Sequence, residues 1–198
     1  LQRGDSTVQK VIPKFTQFTI NSKKFFNRDN IVFPAGVIAV GKAHIYDSTV
    51  PDVLLYEGEV KTKSYSSDTT QFREIYLEEN GFNVSDEDVQ VKITNVIQNV
   101  NEVWSRTRNG NAIWTADPGE KVYYDSTSGL GDTIITFGDG ARGAVPPLGS
   151  SIDITYAITS GSAGNFGTSN IEVKSVADGD ITGSTVEIIK GGSDEKSA

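Results

Sequence analysis

Apolar and polar residues alternate with a period of two along much of the chain. In DVQVKI, Val89, Val91 and Ile93 fall on one face, with Gln90 and Lys92 opposite. In SIDITYAIT, Ile152, Ile154, Tyr156 and Ile158 share a face, with Asp153, Thr155, Ala157 and Thr159 on the other. Such alternation marks a half-buried strand. TIITF, NIEVKSV and STVEII are shorter examples, and VIAVGKAHIYD and VLLYEGEVKTK are longer candidates. In the last of these, Glu57, Glu59, Lys61 and Lys63 alternate and read as one solvated face. Asn80-Gly81, Asn109-Gly110 and Asp178-Gly179 suit tight turns that need φ > 0. No stretch of eleven or more residues carries apolar positions at helical spacing behind a cap; the tail GGSDEKSA, with Ser193 or Asp194 as N-cap, is the one place where a helix would start.

The pattern predicts an all-β protein of short antiparallel strands in two sandwich- or barrel-like units, with little helix. Residues 1–65 form the first unit, completed by 166–192 if the late strands return to it. Residues 66–165 form the second. Residues 193–198 begin a truncated following segment. If the first unit is discontinuous in this way, residues near 65 and 167 lie close together.

Composition narrows the function classes. Against 18 Lys+Arg stand 26 Asp+Glu, a formal charge of −8, which disfavours a nucleic-acid or anionic-membrane surface. With no cysteine there is no disulfide framework and no thiolate chemistry; a cytoplasmic origin fits. No apolar run reaches membrane-spanning length and no leader pattern opens the chain. The lack of any methionine, even at position 1, suggests a piece of a longer polypeptide.

One motif invites a catalytic reading. In TFGDGARGAVPPLGSS, Gly138, Gly140 and Gly143 match G-x-G-x-x-G after a strand, the fingerprint of a dinucleotide-binding turn. That chemistry needs a helix whose N-terminus receives the pyrophosphate. Here Pro146 and Pro147 follow and the next element is a strand, so the helix is excluded. The motif reads instead as a strand-to-strand turn. Phe137 points inward, Gly138 and Gly140 permit a sharp reversal, Asp139 bonds its own turn, the prolines stiffen the return and Gly149 releases the chain into the next strand.

The remaining candidates are weaker. Arg3-Gly4-Asp5 spells an integrin-binding triplet, but three residues recur by chance. His44, the sole histidine, reads as a strand residue; it has no G-x-S-x-G elbow and no cysteine to share a zinc ion with. Asp86-Glu87-Asp88 and Asp178-Gly179-Asp180 do not continue into a twelve-residue calcium loop and read as solvated turns. Trp104 and Trp114, near RTRNG, would make a sugar or peptide platform, although paired core aromatics are commoner. A two-carboxylate glycosidase has nothing specific in its favour among so many acidic residues. No catalytic group, cofactor or metal is expected, and the module is read as a β scaffold that contacts other proteins.

The run Thr133 to Asn165 resembles the signature of the baseplate J-like family, wedge subunits of contractile phage tails. Its pattern is a strand ending in F-G-D-G, a glycine, a Pro- and Gly-containing turn, an I-x-[IV]-x-Y strand and a glycine-rich turn ending in G-N. Here these positions are Phe137, Gly138, Asp139, Gly140, Gly143, Pro146, Gly149, Ile152, Ile154, Tyr156, Gly161, Gly164 and Asn165. VIPKFTQFTI is similar to the family's I-P-x-x-T-x-F opening, with Phe15 where glycine is usual. QFREIYLEENGFNVSDEDVQVKI, Trp104 and VYY resemble the segment leading to F-G-D-G in the T-even type of wedge protein. IIKGGSDEKSA resembles G-G-x-D-x-E-S, with Lys196 where glutamate is usual. The resemblance implies a non-enzymatic subunit in the virion's tail baseplate, assembled in the host cytoplasm. It would associate with itself and with neighbouring wedge subunits, without nucleic acid or membrane, and transmit the rearrangement that triggers sheath contraction. The turn residues would be architectural. The rival class is a receptor- or glycan-binding β module of a tail fibre or adhesin.

Overall fold

A computed structural model describes residues 2–3, 9–33, 53–79, 83–107, 112–129, 132–164, 172–175 and 181–184. The protein is all-β. It divides into two compact units, one made of Leu1–Val60 with Thr159–Ala198, the other of Lys61–Ile158. The long strand candidate around His44, the complete Arg-Gly-Asp triplet, the Asn80, Asn109 and Asp178 turns, most of STVEII, residue 167, Asn165 and the tail from Ser193 all lie outside the described residues.

The first unit contains β1 (Gln2–Arg3), β2 (Lys10–Ile12), β3 (Gln17–Ile20), β4 (Lys23–Phe26), β5 (Ile31–Phe33), β6 (Tyr56–Glu57), β14 (Glu172–Ser175) and β15 (Ile181–Ser184). Six of these form one sheet in the order β1-β15-β14-β3-β4-β6, and β2 pairs with β5. Strand β14 runs antiparallel to β3, with Val173 opposite Ile20, so the chain after Thr159 supplies a partner to an N-terminal strand. Phe18 and Ile20 are buried in alternation with Gln17 and Thr19 on β3, whereas the consecutive Phe25 and Phe26 of β4 are both buried. β3 and β4 form a hairpin closed by Asn21-Ser22, both at positive φ (47° and 64°), the requirement of a type I′ turn. Phe15 also lies at positive φ (65°), in the left-handed region that favours glycine. Its amide bonds the Asn27 carbonyl at 2.8 Å and its ring lies 6.0 Å from that of Phe26.

The second unit contains β7 (Glu59–Ser66), β8 (Glu74–Leu77), β9 (Asn83–Asn95), β10 (Val100–Arg106), one helical turn α1 (Ala112–Thr115), β11 (Val122–Thr127), β12 (Thr133–Phe137) and β13 (Ser151–Thr159). Its seven-stranded sheet runs β7-β13-β9-β10-β11-β12-β8. The apolar faces hold: Val89, Val91 and Ile93 are buried with Ile152, Ile154, Tyr156 and Ile158, and Ile135 and Phe137 join them; Ala157, on the opposite face of β13, is buried as well. Trp104 meets Phe137 edge to face, 5.6 Å between centroids, a favoured aromatic geometry.

Four expectations need correction. VLLYEGEVKTK is not one strand: at Gly58 it divides into β6 and β7, which belong to different sheets. Gly58 donates to the Lys24 carbonyl at 2.9 Å and accepts from Gln17 Nε2 at 2.9 Å, so the break is fixed by β3 and β4. The pairing is not uniformly antiparallel: β10 and β11 are parallel, because the segment joining them crosses over through α1 instead of turning back tightly. Asp86-Glu87-Asp88 is not a turn but the middle of β9, where Asp88 is buried and accepts a bond from Ser85 Oγ at 2.6 Å. Trp104 and Trp114 are not a core pair, since Trp104 is 4% exposed and Trp114, on α1, is 55% exposed.

Candidate functional site

The glycine-rich turn after β12 is tied to the body of the second unit at every stage. Phe137 is fully buried. Gly138 lies next to its own return: a Cβ there would stand 2.3 Å from the Arg142 oxygen and 2.4 Å from the Gly143 carbonyl group. Its need for glycine is therefore steric. Gly140, Gly143 and Gly149 instead take positive φ (90°, 72° and 73°), where a side chain is strained. Asp139 Oδ1 accepts from the amides of Ala141 (3.0 Å) and Arg142 (2.7 Å), closing the reversal as an Asx-type turn.

Three neighbouring segments then hold the loop. Phe72 donates to the Gly138 carbonyl (3.2 Å). Gly143 and Ala144 donate to the carbonyls of Asp117 (3.3 Å) and Glu120 (2.7 Å). Ser67 Oγ donates to the buried Pro146 carbonyl (2.7 Å), while the Ser67 backbone receives Gly149 (3.1 Å) and donates to Ser150 (2.8 Å). The amides that a phosphate cradle would point outward are spent on the protein's own carbonyls and on the Asp139 carboxylate. Tyr156 is reached in β13, and Gly164 closes a short 3₁₀ turn (Gly161–Gly164) in the other unit.

Tyr156 leads to the most unusual electrostatic feature of the second unit. β7 and β8 are the two ends of the sheet order, with no ladder between them. Side chains cross between them instead. Glu79, just past β8, has a side chain 7% exposed; it meets Lys61 Nζ at 2.5 Å and Lys63 Nζ at 2.9 Å, both from β7. Tyr156 donates its hydroxyl to the same carboxylate. Lys63 Nζ also donates to the Glu78 carbonyl (3.1 Å), and Arg73 bonds the Ser66 carbonyl and Asp68. Burial alone raises the Glu79 pKa, but the hydrogen bonds from Lys61, Tyr156 and Lys63 outweigh it and hold the carboxyl at about 2. Burial, then the bond to Glu79, pushes the Tyr156 phenol well above its ordinary range.

This overturns the solvated-face reading of Lys61 and Lys63. Both are half-buried, and it is Thr62, Ser64 and Ser66 that face solvent. Alternation alone cannot tell a lysine row that faces water from one that faces a buried carboxylate, because the deciding partner comes from another strand. Glu79 also lacks the raised pKa that a general acid needs at neutral pH. Ionised at neutral pH and bonded by three side chains, it acts as an electrostatic clamp.

One surface cluster stands out. The Trp114 ring lies 5.3 Å from that of Phe72, and the Arg142 guanidinium lies 5.1 Å from it. Phe72 is itself at positive φ (49°). Among the described residues no three His, Cys, Asp or Glu side chains gather as a metal site, and no helix is long and apolar enough to cross a membrane. No protein-family model matches the chain, and no curated protein sequence matches it.

Proposed function

We propose that this chain is a structural module of a contractile-tail baseplate wedge, assembling with itself and with neighbouring wedge subunits and passing on the rearrangement that triggers sheath contraction. The observation that carries the reading is the fit between signature and backbone. Gly138, Gly140, Gly143 and Gly149 occupy positions that only glycine fills without a clash or strain. Phe15, which replaces the usual glycine of the resembling pattern, also sits at positive φ. Here the glycines and the amides between them serve the loop's own packing, as an architectural turn requires. The clamp at Glu79 adds stiffness where the sheet lacks a ladder, as a load-bearing part between partners requires.

The test is co-expression of the polypeptide carrying this chain with the products of its neighbouring genes, followed by light scattering and negative-stain microscopy. A ring or a wedge-sized complex is the expected result; a monomer that co-purifies with none of them refutes the proposal. The Phe72–Trp114–Arg142 cluster favours a second reading, a glycan-binding module, because exposed tryptophan is a common stacking platform for sugar rings. Glycan-array binding lost in Trp114→Ala would establish it. Trp104, buried in the core, has no part in it.

A further inference from the structure

β7 is attached to the second unit differently from the other strands. β8, β9, β10, β11, β12 and β13 each bury at least one apolar side chain, among them Leu77, Ile93, Trp104, Tyr123, Phe137 and Ile154. None of the eight residues of β7 is buried. Of these, only Tyr65 packs against the core, from a half-buried position. What holds β7 is polar. Its one ladder among the described residues is to β13. Two side-chain pairs reinforce that ladder on the outer face: Thr62 Oγ1 lies 2.9 Å from Thr155 Oγ1, and Ser64 Oγ donates to Asp153 Oδ1 at 2.7 Å. Across the gap to β8, which has no ladder, Lys61 and Lys63 hold β7 to Glu79. Releasing such a strand returns polar groups to water and exposes little apolar surface, so it opens at low cost.

The place of β7 in the chain gives that opening a use. Two chain crossings connect the units, Val60–Lys61 and Ile158–Thr159. The first enters the second unit through β7, and the second leaves it through β13. We propose that β7 is a releasable strand, which comes off β13 as one piece while the other six strands stay folded, with Glu79 as its latch. Once released, residues 61–66 are no longer a strand but a leash of up to roughly 20 Å, at about 3.3 Å per residue. Only the crossing through β13 then stays anchored in the sheet. The latch thus switches the link between the units from two fixed connections to one. The inference concerns the folded chain itself and stands apart from the wedge reading.

Native-state hydrogen exchange of the whole chain at neutral pH tests it, with urea raised from zero to just below the unfolding transition. The β7 amides should exchange at least about 100-fold faster than those of β9 and β10. Their urea slope should be less than about half as steep, because opening one strand exposes only a fraction of the unit's surface. Glu79→Gln should speed β7 exchange at least about tenfold and keep the shallow slope. Lys121→Met, which breaks an exposed pair with Glu102 elsewhere in the unit, should change β7 exchange less than about twofold. The chain has no cysteine, so Thr62→Cys combined with Thr155→Cys permits one intramolecular bridge, between β7 and β13. With the bridge closed, the fast exchange of β7 should disappear, and dithiothreitol should restore it. Three results overturn the proposal: β7 amides that share the urea slope of β9 and β10, that respond less than about twofold to Glu79→Gln, or that exchange equally fast with the bridge closed. A wedge-sized complex on co-expression, from a chain whose urea slopes are uniform, would remove the latch and leave the wedge reading standing.

Discussion

Replacing Glu79 by glutamine separates the charge of the clamp from its shape. The folded carboxyl titrates at about 2 against an ordinary 4.5, a difference equivalent to roughly 3 kcal/mol in favour of the ionised native state. Lys61 and Lys63 have side chains 37% and 38% exposed, so solvent screening reduces the figure to about 2 kcal/mol. Because the folded pKa is depressed, this stabilisation is fully present above pH 4.5, declines as pH falls toward 2 and is absent below. Glu79→Gln should therefore be about 2 kcal/mol less stable than wild type at pH 7, and the gap should narrow steadily below pH 4.5. Both tryptophans, Trp104 and Trp114, lie within Lys61–Ile158, so their fluorescence reports unfolding of that unit alone. With a urea slope of about 1–1.5 kcal/mol per molar, the midpoint should drop by roughly 1.5 M at pH 7. A gap that stays constant down to pH 3, or one below about 0.5 kcal/mol at pH 7, would refute the clamp.

Three further changes probe the backbone and the core. Gly138→Ala places a Cβ 2.3 Å from a backbone oxygen, and should lower stability by about 3 kcal/mol or more; a calorimetric melt within about 0.5 kcal/mol of wild type would contradict the close approach. In the first unit, Phe15→Val should be less stable than Phe15→Gly by at least about 1 kcal/mol despite its larger apolar side chain, because a β-branched residue is strained at φ 65°; hydrogen exchange of the β3 and β4 amides reads this directly. Tyr123, raised to about 12 by burial and then by Asp125, should ionise late in an absorbance titration at alkaline pH. Its neutral form belongs to the native state, so the second unit should lose stability as pH rises above 10. Tyr123→Phe, which removes the bond to the Val89 carbonyl, should cost about 1 kcal/mol.

Where burial follows residue type, the fold was legible. The apolar faces of β9, β12 and β13 were visible as alternation, and the inward Phe137 and the Asx turn at Asp139 followed from turn chemistry. Legibility failed where a distant residue decides. Gly58 divides a continuous strand pattern because Gln17 and Lys24 bind it. Asn21-Ser22 forms a type I′ turn without the glycine that usually marks one. The clamp was hidden because Glu79, Lys61, Lys63 and Tyr156 come together only through tertiary pairing, and a lysine-glutamate alternation has an ordinary surface reading. Of the turn's glycines, the sequence signalled a need for positive φ but could not show that Gly138 answers to a close approach of its own return loop. Trp114 was visible as an aromatic near basic residues; that Phe72 and Arg142 flank it was not.

The discontinuity of the first unit has a consequence in time. On the ribosome every strand of Lys61–Ile158 exists once residue 158 has been made. β3 must wait for Ser175 before its partner β14 is complete. At roughly 5–20 residues per second, the β3–β4 hairpin spends several seconds or more as a nascent edge, and the inserted unit is complete about 1–3 s before β14 is. The order of synthesis thus makes the middle of the chain the older domain and the two ends the last to meet.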